Sequence, residues 1–258
     1  MPTHAAPREK LSPLTVIGEL LVMCGLIVGG YMLWQPWYTT VVVAGEQTEI
    51  SAQTSSAWDT PADETDEPEG AEVAEPAPYT GEVPTPAIPA DNEVFAVLYV
   101  PSFGSSYSNV IAEGVSDWGV LNRAEKGIGR YTTTQMPGQP GNFAVAAHRS
   151  GPYTTPFKNI MDLQVGDPLF VETPDGWYTY RFRSLEYVWP TEVDVINSFP
   201  RLEGNPGEDQ VLTLTTCHPK EAGDAERAIA YSIFESFQPR NMGAPAELVK
   251  LNPSVVKG

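Results

Sequence analysis

A cysteine and an arginine placed ten residues apart are the first side chains in this sequence that suggest a reaction. Cys217 closes the run Leu212–Cys217, and Arg227 directly precedes the run Ala228–Phe237. A cysteine thiolate attacks carbonyl carbon, and a guanidinium, which keeps its charge throughout a reaction cycle, can hold the oxyanion that forms. Side by side, the two groups would form a centre for acyl transfer.

Both residues stand at the ends of predicted strands. Residues 212–217 read Leu-Thr-Leu-Thr-Thr-Cys, an alternation typical of a strand with one face packed inside. Pro219 ends that strand because proline donates no ladder hydrogen bond, and a polar loop follows it. Two strands joined by so short a loop are most simply antiparallel neighbours. The pattern therefore predicts that Cys217 and Arg227 meet across one rung of a sheet.

The third candidate is His148, which ends the apolar run Asn142–His148. A short, continuously apolar run is typical of a strand buried on both faces, and the loop-forming residues Arg149–Pro152 place the imidazole at a rim. His218, adjacent to the cysteine, is given no role. Taken singly, each candidate has a commoner structural interpretation: a buried thiol, a hydrogen-bonded histidine, and a surface arginine paired with Glu226.

The remainder of the region from residue 94 onward reads as short strands separated by turns. Pro174-Asp175-Gly176 is a strong hairpin signal because Asp-Gly accommodates positive φ. Short helical turns are expected near residues 122–126 and 157–163. The predicted strands are residues 94–100, 114–118, 129–134, 142–148, 168–173, 177–189, 192–196, 212–216 and 228–237. So many short strands with little helix indicate an all-β barrel or sandwich.

The N-terminal region predicts a membrane anchor. After a tail over residues 1–13, Leu14–Trp34 is a mostly apolar run of 21 residues. As a helix it would span about 32 Å at ~1.5 Å per residue, enough to cross a bilayer. Arg8 and Lys10 precede the run and no Lys or Arg follows until Arg123, so the positive-inside rule predicts a cytoplasmic tail, an anchor over residues 14–38 and an extracellular remainder. A cleavable signal peptide is the alternative, less favoured because the run is longer than an h-region.

An acidic segment separates the anchor from the domain. Residues 44–93 contain 13 Asp or Glu and no Lys or Arg, together with many Pro, Ala, Thr and Ser. Such a composition buries too little apolar surface to offset its ordering entropy. Residues 39–93 are therefore predicted to be a disordered linker, and residues 94–258 to be the folded domain. The acidic segment accounts for most of the net charge of −18.

Charge and cysteine content exclude several classes of function. Neither the linker nor the domain has the basic stripe that nucleic-acid binding requires, so no nucleic-acid partner is predicted. Cys24 lies in the apolar run, which argues against a disulfide with Cys217. The sequence holds no CxxC, no HExxH and no histidine cluster, so no metal site is predicted.

Taken together, the motifs resemble those of the sortase family. Gly141–Arg149 is similar to the sortase histidine motif, Thr213–Cys217 resembles the TLxTC motif, and Arg227 falls where sortases place their arginine. The order His, Cys, Arg and the gaps between them also agree. The resemblance runs from about Val94 to Phe237, and an anchored domain outside the membrane fits the family as well.

Within the family, the resemblance is to class E, typical of high-GC Gram-positive bacteria. It rests on Pro137–Phe143, on the doubled Thr215-Thr216 and on Cys217-His218-Pro219. Two positions depart from the pattern: Ala147 stands where glycine is usual, and Arg130 stands where histidine is common. Neither departure removes a catalytic group, but both are expected to alter the shape of the site.

The resemblance implies a closed eight-stranded sortase-type β-barrel with one or two short helices, behind the transmembrane helix. It implies a cysteine transpeptidase that cleaves an LAxTG- or LPxTG-type sorting signal at the C-terminus of secreted proteins, and that passes the acyl group to an amine of the peptidoglycan precursor. Cys217 would be the nucleophile, His148 the proton donor and acceptor, and Arg227 the group that stabilises substrate and oxyanion. No cofactor would be needed.

Three alternatives stay open. An L,D-transpeptidase is also a Cys/His β-domain, but its Ser-His-Gly-containing motif is absent here. A membrane-tethered binding module would leave Cys217 as an inert buried thiol. A pilin-polymerising sortase would carry an Asp-Pro-aromatic lid motif, whereas Asp91 is followed by Asn92-Glu93. Attachment of secreted proteins is therefore preferred.

Overall fold

A closed barrel of eight strands forms the centre of the molecule, whose computed structural model describes residues 12–59, 79–220 and 225–253. The strands are β1 (Val94–Tyr99), β2 (Ser108–Glu113), β3 (Ile128–Arg130), β4 (Gly141–Ala147), β5 (Pro168–Thr173), β6 (Gly176–Val188), β7 (Gln210–His218) and β8 (Glu226–Pro239). They follow one another around the barrel in the order β1-β2-β3-β4-β7-β8-β6-β5. The eight-stranded barrel implied by the resemblance is confirmed.

Alternation along the strands fills the barrel interior. Phe143 and Val145 of β4 and Leu212 and Leu214 of β7 belong to the largest buried apolar cluster. Every residue of β4 is buried, which confirms the prediction of a strand covered on both faces. Since neighbouring side chains on a strand point to opposite faces, the intervening residues of β4 and β7 face outward.

Two stretches predicted as strands have other structures. Residues 114–118 are not a strand, because β2 ends at Glu113 and Gly114 follows with φ at +87°. The hydroxyl of Ser116 then accepts from the backbone N–H of Gly119 (3.1 Å) and caps a single π-helical turn over Asp117–Leu121. The predicted strand at 129–134 is correspondingly short, since β3 stops at residue 130 and a turn follows.

The predicted strand at residues 192–196 is a 3₁₀ turn over Val193–Ile196. Its apolar residues are explained by packing and not by strand pairing, because Val195 is buried against Val188 and Ile229 on the outer face of the barrel. An apolar alternation over so few residues cannot distinguish the two structures.

Arg130 lies inside the barrel and not at its rim. The side chain is fully buried and makes two bonds to the carboxylate of Glu113 (2.7 and 2.6 Å), and it also donates to the carbonyl of Thr134. It shares the inner face of β3 with Ile128, as Glu113 shares the inner face of β2 with Ile111. The residue that departs from the family pattern therefore forms a buried ion pair joining β2 to β3.

Two helices precede the barrel. Helix α1 (Pro13–Trp37) continues through a π-helical turn (Tyr38–Val42) into helix α2 (Val43–Trp58). Within the described part of the chain, Pro13–Gln35 is the one helical stretch long and apolar enough to cross a membrane. A short helix α3 (Ala246–Leu251) closes the described chain.

Helix α2 corrects the prediction of a disordered linker for residues 43–58. Its buried residues Val43, Gln47 and Ser51 recur every four positions, so one face of the helix packs on the barrel. Near its end, the Ser55 hydroxyl donates to the buried carboxylate of Glu172 (2.6 Å). Composition did not reveal this face because two of its three buried residues are polar. Residues 60–78 of the predicted linker lie outside the described residues.

The far end of α2 is held by one arginine. The Arg240 guanidinium lies between the rings of Trp58 and Trp177, 5.5 and 4.9 Å from their centroids. It also bonds to Asp59 (2.7 Å) and to Glu172 (2.7 Å). Charge neutralisation and cation–π contact thus fix α2 to β5 and β6 at the end of the barrel where β5 finishes and β6 begins.

Candidate active site

The cysteine and the arginine predicted to face each other share one rung. Antiparallel strands β7 and β8 pair Cys217 with Arg227, and Thr215 with Ile229. Because Leu214 packs inside the barrel, alternation directs the Cys217 and Arg227 side chains to the outer face. Both are half-buried. We call the end of the barrel where β4 and β7 finish and β8 begins the site end.

His148 reaches the same place from β4. Strands β4 and β7 are parallel neighbours whose last paired rung joins Ala146 to Thr215. Beyond it, the hydroxyl of Thr216 donates to the carbonyl of Ala147 (2.7 Å) and keeps the strand ends together. The histidine and the cysteine each lie two residues past that rung. The structure therefore brings all three predicted site residues to the site end of the barrel.

Asn122 orients the imidazole of His148. Its Oδ1 lies 2.7 Å from Nε2 of the histidine. An amide oxygen only accepts, so Nε2 carries the hydrogen and Nδ1 is left to exchange a proton. Burial lowers the pKa of His148 below its ordinary value, and the nearby Asp117 carboxylate raises it in opposition.

A second bond ties together the two segments that carry His148 and Cys217. Nη1 of Arg149 lies 2.9 Å from Nδ1 of His218, which must accept because a guanidinium only donates. The His218 ring stacks on Tyr187 with the centroids 4.0 Å apart. His218, which had no predicted role, is thus the acceptor that links the residue after the histidine to the residue after the cysteine.

The loop between β6 and β7, residues 189–209, forms a wall beside the outer face of β7 and β8. Val195 of this loop packs on Ile229 of β8. The Asn142 side chain donates to the carbonyls of Val195 and Asn197 (3.3 and 3.1 Å), and it accepts from the hydroxyl of Thr213 (2.7 Å). The loop therefore covers the outer face of β4 and β7 and forms a wall beside the strand ends that carry His148 and Cys217. We call the surface between this wall and Cys217 the groove.

Arg201 holds the wall in one shape. Its guanidinium contacts the carboxylates of Glu186 (2.9 Å), Glu192 (2.9 Å) and Asp194 (3.0 Å). Glu186 also accepts from the Tyr231 hydroxyl (2.7 Å), which connects the cluster to β8. These bonds, that to Glu186 first among them, raise the pKa of Arg201 above its ordinary value.

The three candidate side chains selected from the sequence lie together in the structure. Sequence reasoning missed Asn122, Arg149 and Arg201, which position these side chains or the groove. Arg149 had a usable signal, because it directly follows His148 in the histidine motif. Asn122 had none, since it precedes β3 and meets His148 only through the folded barrel. Arg201 had a weak signal in the acidic residues just before it.

Replacing Asn122 should change the proton affinity of the imidazole. In Asn122→Asp a carboxylate faces Nε2 and stabilises the imidazolium, so the pKa of His148 should rise by about 1 or more. Asn122→Leu removes the acceptor and should not raise it. An NMR titration of the His148 Cε1–H signal measures both, with the exposed Asn205→Asp as a control. An unchanged titration midpoint in Asn122→Asp would contradict the assignment.

Comparison with known proteins agrees with this geometry. The family model for the sortase domain matches residues 98–233, a little over half of the chain. Sortase SrtE1 of Streptomyces coelicolor is 30% identical over 239 residues, which are 90% of this chain but only 60% of that protein's length.

The solved structure of sortase E from Streptomyces avermitilis is 35% identical with a TM-score of 0.54, covering 62% of this chain and 99% of that one. Sortase E1 from Streptomyces coelicolor, solved with a tripeptide in the active site, is 33% identical with a TM-score of 0.54, covering 61% and 98%. The matched region contains the barrel strands that carry His148, Cys217 and Arg227, and the chain belongs to the sortase family.

Proposed function

We propose that this protein is a membrane-anchored cysteine transpeptidase of class E type. It cleaves an LAxTG- or LPxTG-type sorting signal between Thr and Gly near the C-terminus of a secreted protein. It then transfers the acyl group, held as a thioester on Cys217, to an amine of the peptidoglycan precursor. Since the chain spans 60% of the length of sortase SrtE1, this activity is assigned from the site of this chain and not from the whole relative.

One observation carries the proposal. The rung that pairs Cys217 with Arg227 lies at the end of the strand adjacent to the one that leads to His148. A nucleophile, an oxyanion partner and a proton carrier thus share one half-buried end of a sortase barrel. The tripeptide in the active site of the related sortase E1 supports a peptide as the ligand of this groove.

The chemistry divides between the three side chains. The thiolate of Cys217 attacks the threonine carbonyl carbon, while Arg227 donates hydrogen bonds to the oxyanion. The His148 imidazolium gives its Nδ1 proton to the departing glycine amine as the C–N bond breaks, which leaves a thioester and a neutral imidazole. An incoming amine then attacks the thioester and returns a proton to His148, and the thiolate leaves.

The groove fits an extended peptide. The outward residues of β7, Thr213 and Thr215, are buried: the Thr213 hydroxyl donates to Asn142 (2.7 Å), and the Thr215 hydroxyl lies 3.0 Å from that of Tyr131. An extended peptide would therefore lie between the wall of residues 189–209 and the half-buried end of β7, where it would bring the scissile carbonyl to the thiol. The preference for Ala over Pro in the second motif position follows from the resemblance to class E.

A membrane anchor would hold the site close to its acceptor. Helix α1 would cross the membrane once, with the tail over residues 1–13 in the cytoplasm and the barrel outside the cell. This orientation follows from Arg8 and Lys10 before the span and from the lack of any Lys or Arg after it until Arg123. Secreted proteins arriving at the outer surface and membrane-associated cell-wall precursor would then meet at the site.

Transpeptidation is tested with the full chain in detergent, LAxTG and LPxTG peptides, an amine and mass spectrometry. The wild-type chain should yield the cleaved peptide, the amide product and an acyl adduct on Cys217. Cys217→Ala should yield none of the three, and Cys24→Ser, which changes the other cysteine, should remain active. An active Cys217→Ala chain, or an inert wild-type chain, would refute the proposal.

Arg227→Lys should impair the reaction although the charge is kept. A compact ammonium cannot reproduce the planar set of donors, and kcat/KM should fall by about 10²-fold, as for loss of one oxyanion donor. Steady-state kinetics on the peptide measure this, with the exposed Arg123→Lys as the matched control. Turnover near that of the control would remove Arg227 from the oxyanion role.

Arg201→Ala should weaken peptide binding more than it slows chemistry. Without the guanidinium, three carboxylates repel one another and the wall loosens, so KM should rise by about 5-fold while kcat stays within about 2-fold. Arg181→Ala is the control, since Arg181 also joins two carboxylates, Glu235 and Glu247, but outside the groove wall. An equal KM in the two variants would show that the cluster does not shape the groove.

A further inference from the structure

Helix α1 meets the barrel at the site end. Gln35, in the last turn of α1, donates from Nε2 to the carbonyl of Gly151 (2.6 Å), which belongs to the loop after His148. Trp34 and Trp37, on either side of this contact, are about half exposed. Indole rings at the end of a membrane span favour the headgroup layer. The loop after His148 therefore lies at the depth where the helix leaves the apolar core of a bilayer.

Helix α2 then runs along the barrel away from the membrane. Near its start, the Thr48 hydroxyl donates to the carbonyl of Ser106 (3.1 Å), in the connection between β1 and β2 at the site end. Near its finish, Ser55 bonds to Glu172 at the opposite end of the barrel. Because α1 and α2 are joined by helical turns, the barrel stands with its site end toward the membrane.

Two exposed aromatic rings lie beside His148, one in the loop that follows it and one in the connection between β2 and β3. Trp118 is 73% exposed and Tyr153 is 39% exposed. Their rings meet edge to face with centroids 5.8 Å apart, and the Tyr153 ring is 6.5 Å from that of the histidine. Trp and Tyr are the side chains enriched where a protein surface meets lipid headgroups, since each has an apolar ring and one polar atom.

We propose that the site end of the barrel rests on the outer leaflet of the membrane, with the rings of Trp118 and Tyr153 in the headgroup layer. This inference depends on the proposed anchoring through α1, and adds that the domain itself binds a lipid surface. A substrate attached to the same membrane would then reach Cys217 by lateral diffusion along the leaflet.

Charges near these rings indicate that the contact depends on ring burial and not on anionic lipid. The segment around Trp118 carries Arg123 and Lys126, but also Asp117 and Glu125, and Arg123 forms an ion pair with Glu125. Positive and negative charges balance in that segment, while Lys158 and the buried Arg149 flank Tyr153, so attraction to an anionic surface adds to ring burial and is not required for it. A zwitterionic membrane should therefore be bound too.

The depth of each ring position can be measured in the full chain. In a Cys24→Ser, Cys217→Ala background, Trp118→Cys, Tyr153→Cys or Asp175→Cys provides one thiol for an environment-sensitive fluorophore. The chain is reconstituted in phosphatidylcholine vesicles with and without a lipid that carries a nitroxide on its headgroup. Quenching at positions 118 and 153 should exceed that at position 175, in the exposed turn between β5 and β6, by about 3-fold or more.

Quenching at position 118 or at position 153 that does not exceed quenching at position 175 overturns the inference. A parallel set of vesicles contains an anionic lipid as well. Quenching at position 118 that occurs only in those vesicles overturns the ring-based contact. A labelled variant that unfolds is recognised by its melting curve. Positions 118 and 153 are labelled in separate variants, so the variant that stays folded still tests the inference.

A kinetic measurement separates this inference from the proposed function. With Cys217 present, Trp118→Ser should leave turnover of a water-soluble peptide within about 2-fold but lower turnover of a vesicle-embedded peptide by about 5-fold. Equal effects on the two substrates overturn the lipid contact while leaving transpeptidation intact. If the labelled variants show the quenching pattern but the wild-type chain cleaves neither peptide, the proposed function alone is overturned.

Discussion

The pairing of β7 with β4 on one side and β8 on the other is the constraint on which the site depends. A slip of one residue in either ladder would turn every side chain to the opposite face. Leu212 and Leu214 must point into the barrel, so Cys217 must point out, and the antiparallel register then places Arg227 next to it. The packing of the core thus determines which face carries Cys217. The geometry of the candidate site is therefore a consequence of the strand register that buries the core.

Backbone pairing stops short of His148, and side-chain bonds complete the arrangement. The bond between Asn122 and His148 fixes the imidazole, and that between Arg149 and His218 joins the two segments beyond the ladder. Each such hydrogen bond contributes about 0.5–1.5 kcal/mol net to stability, little beside the burial of the barrel core. Their main effect is therefore on orientation and proton affinity. The fold tolerates changes in these bonds, and the site can be tuned through them.

The sequence pattern correctly predicts the strands in which apolar and polar residues alternate. It is wrong for segments that pack on the barrel through side chains without pairing as strands. The alternation around β7 and the short loop after it were enough to predict the rung between Cys217 and Arg227, while motif resemblance identified His148. The 3₁₀ turn at residues 193–196 has the apolar pattern of a strand because it packs on β8. The composition of residues 43–58 favours disorder and predicts a linker. Tertiary contacts made through Gln47 and other polar residues order this segment as helix α2. Contacts between distant segments leave no pattern in the local sequence. The wrong predictions for residues 192–196 and for residues 43–58 both have that origin.

The docking of α2 joins the apolar helix α1 to the barrel. A flexible spacer would let the barrel rotate freely relative to α1, and its random-coil reach would leave the orientation of Cys217 undefined. Ordering α2 costs conformational entropy, which is offset by the burial of Val43, the contact of Trp58 with Arg240 and the bond between Ser55 and Glu172. The bonds of α2 reach both ends of the barrel, so they restrain its tilt as well as its distance from α1. Under the anchoring that we propose, both substrates would approach from one surface, and this restraint would confine the search for a productive encounter to two dimensions.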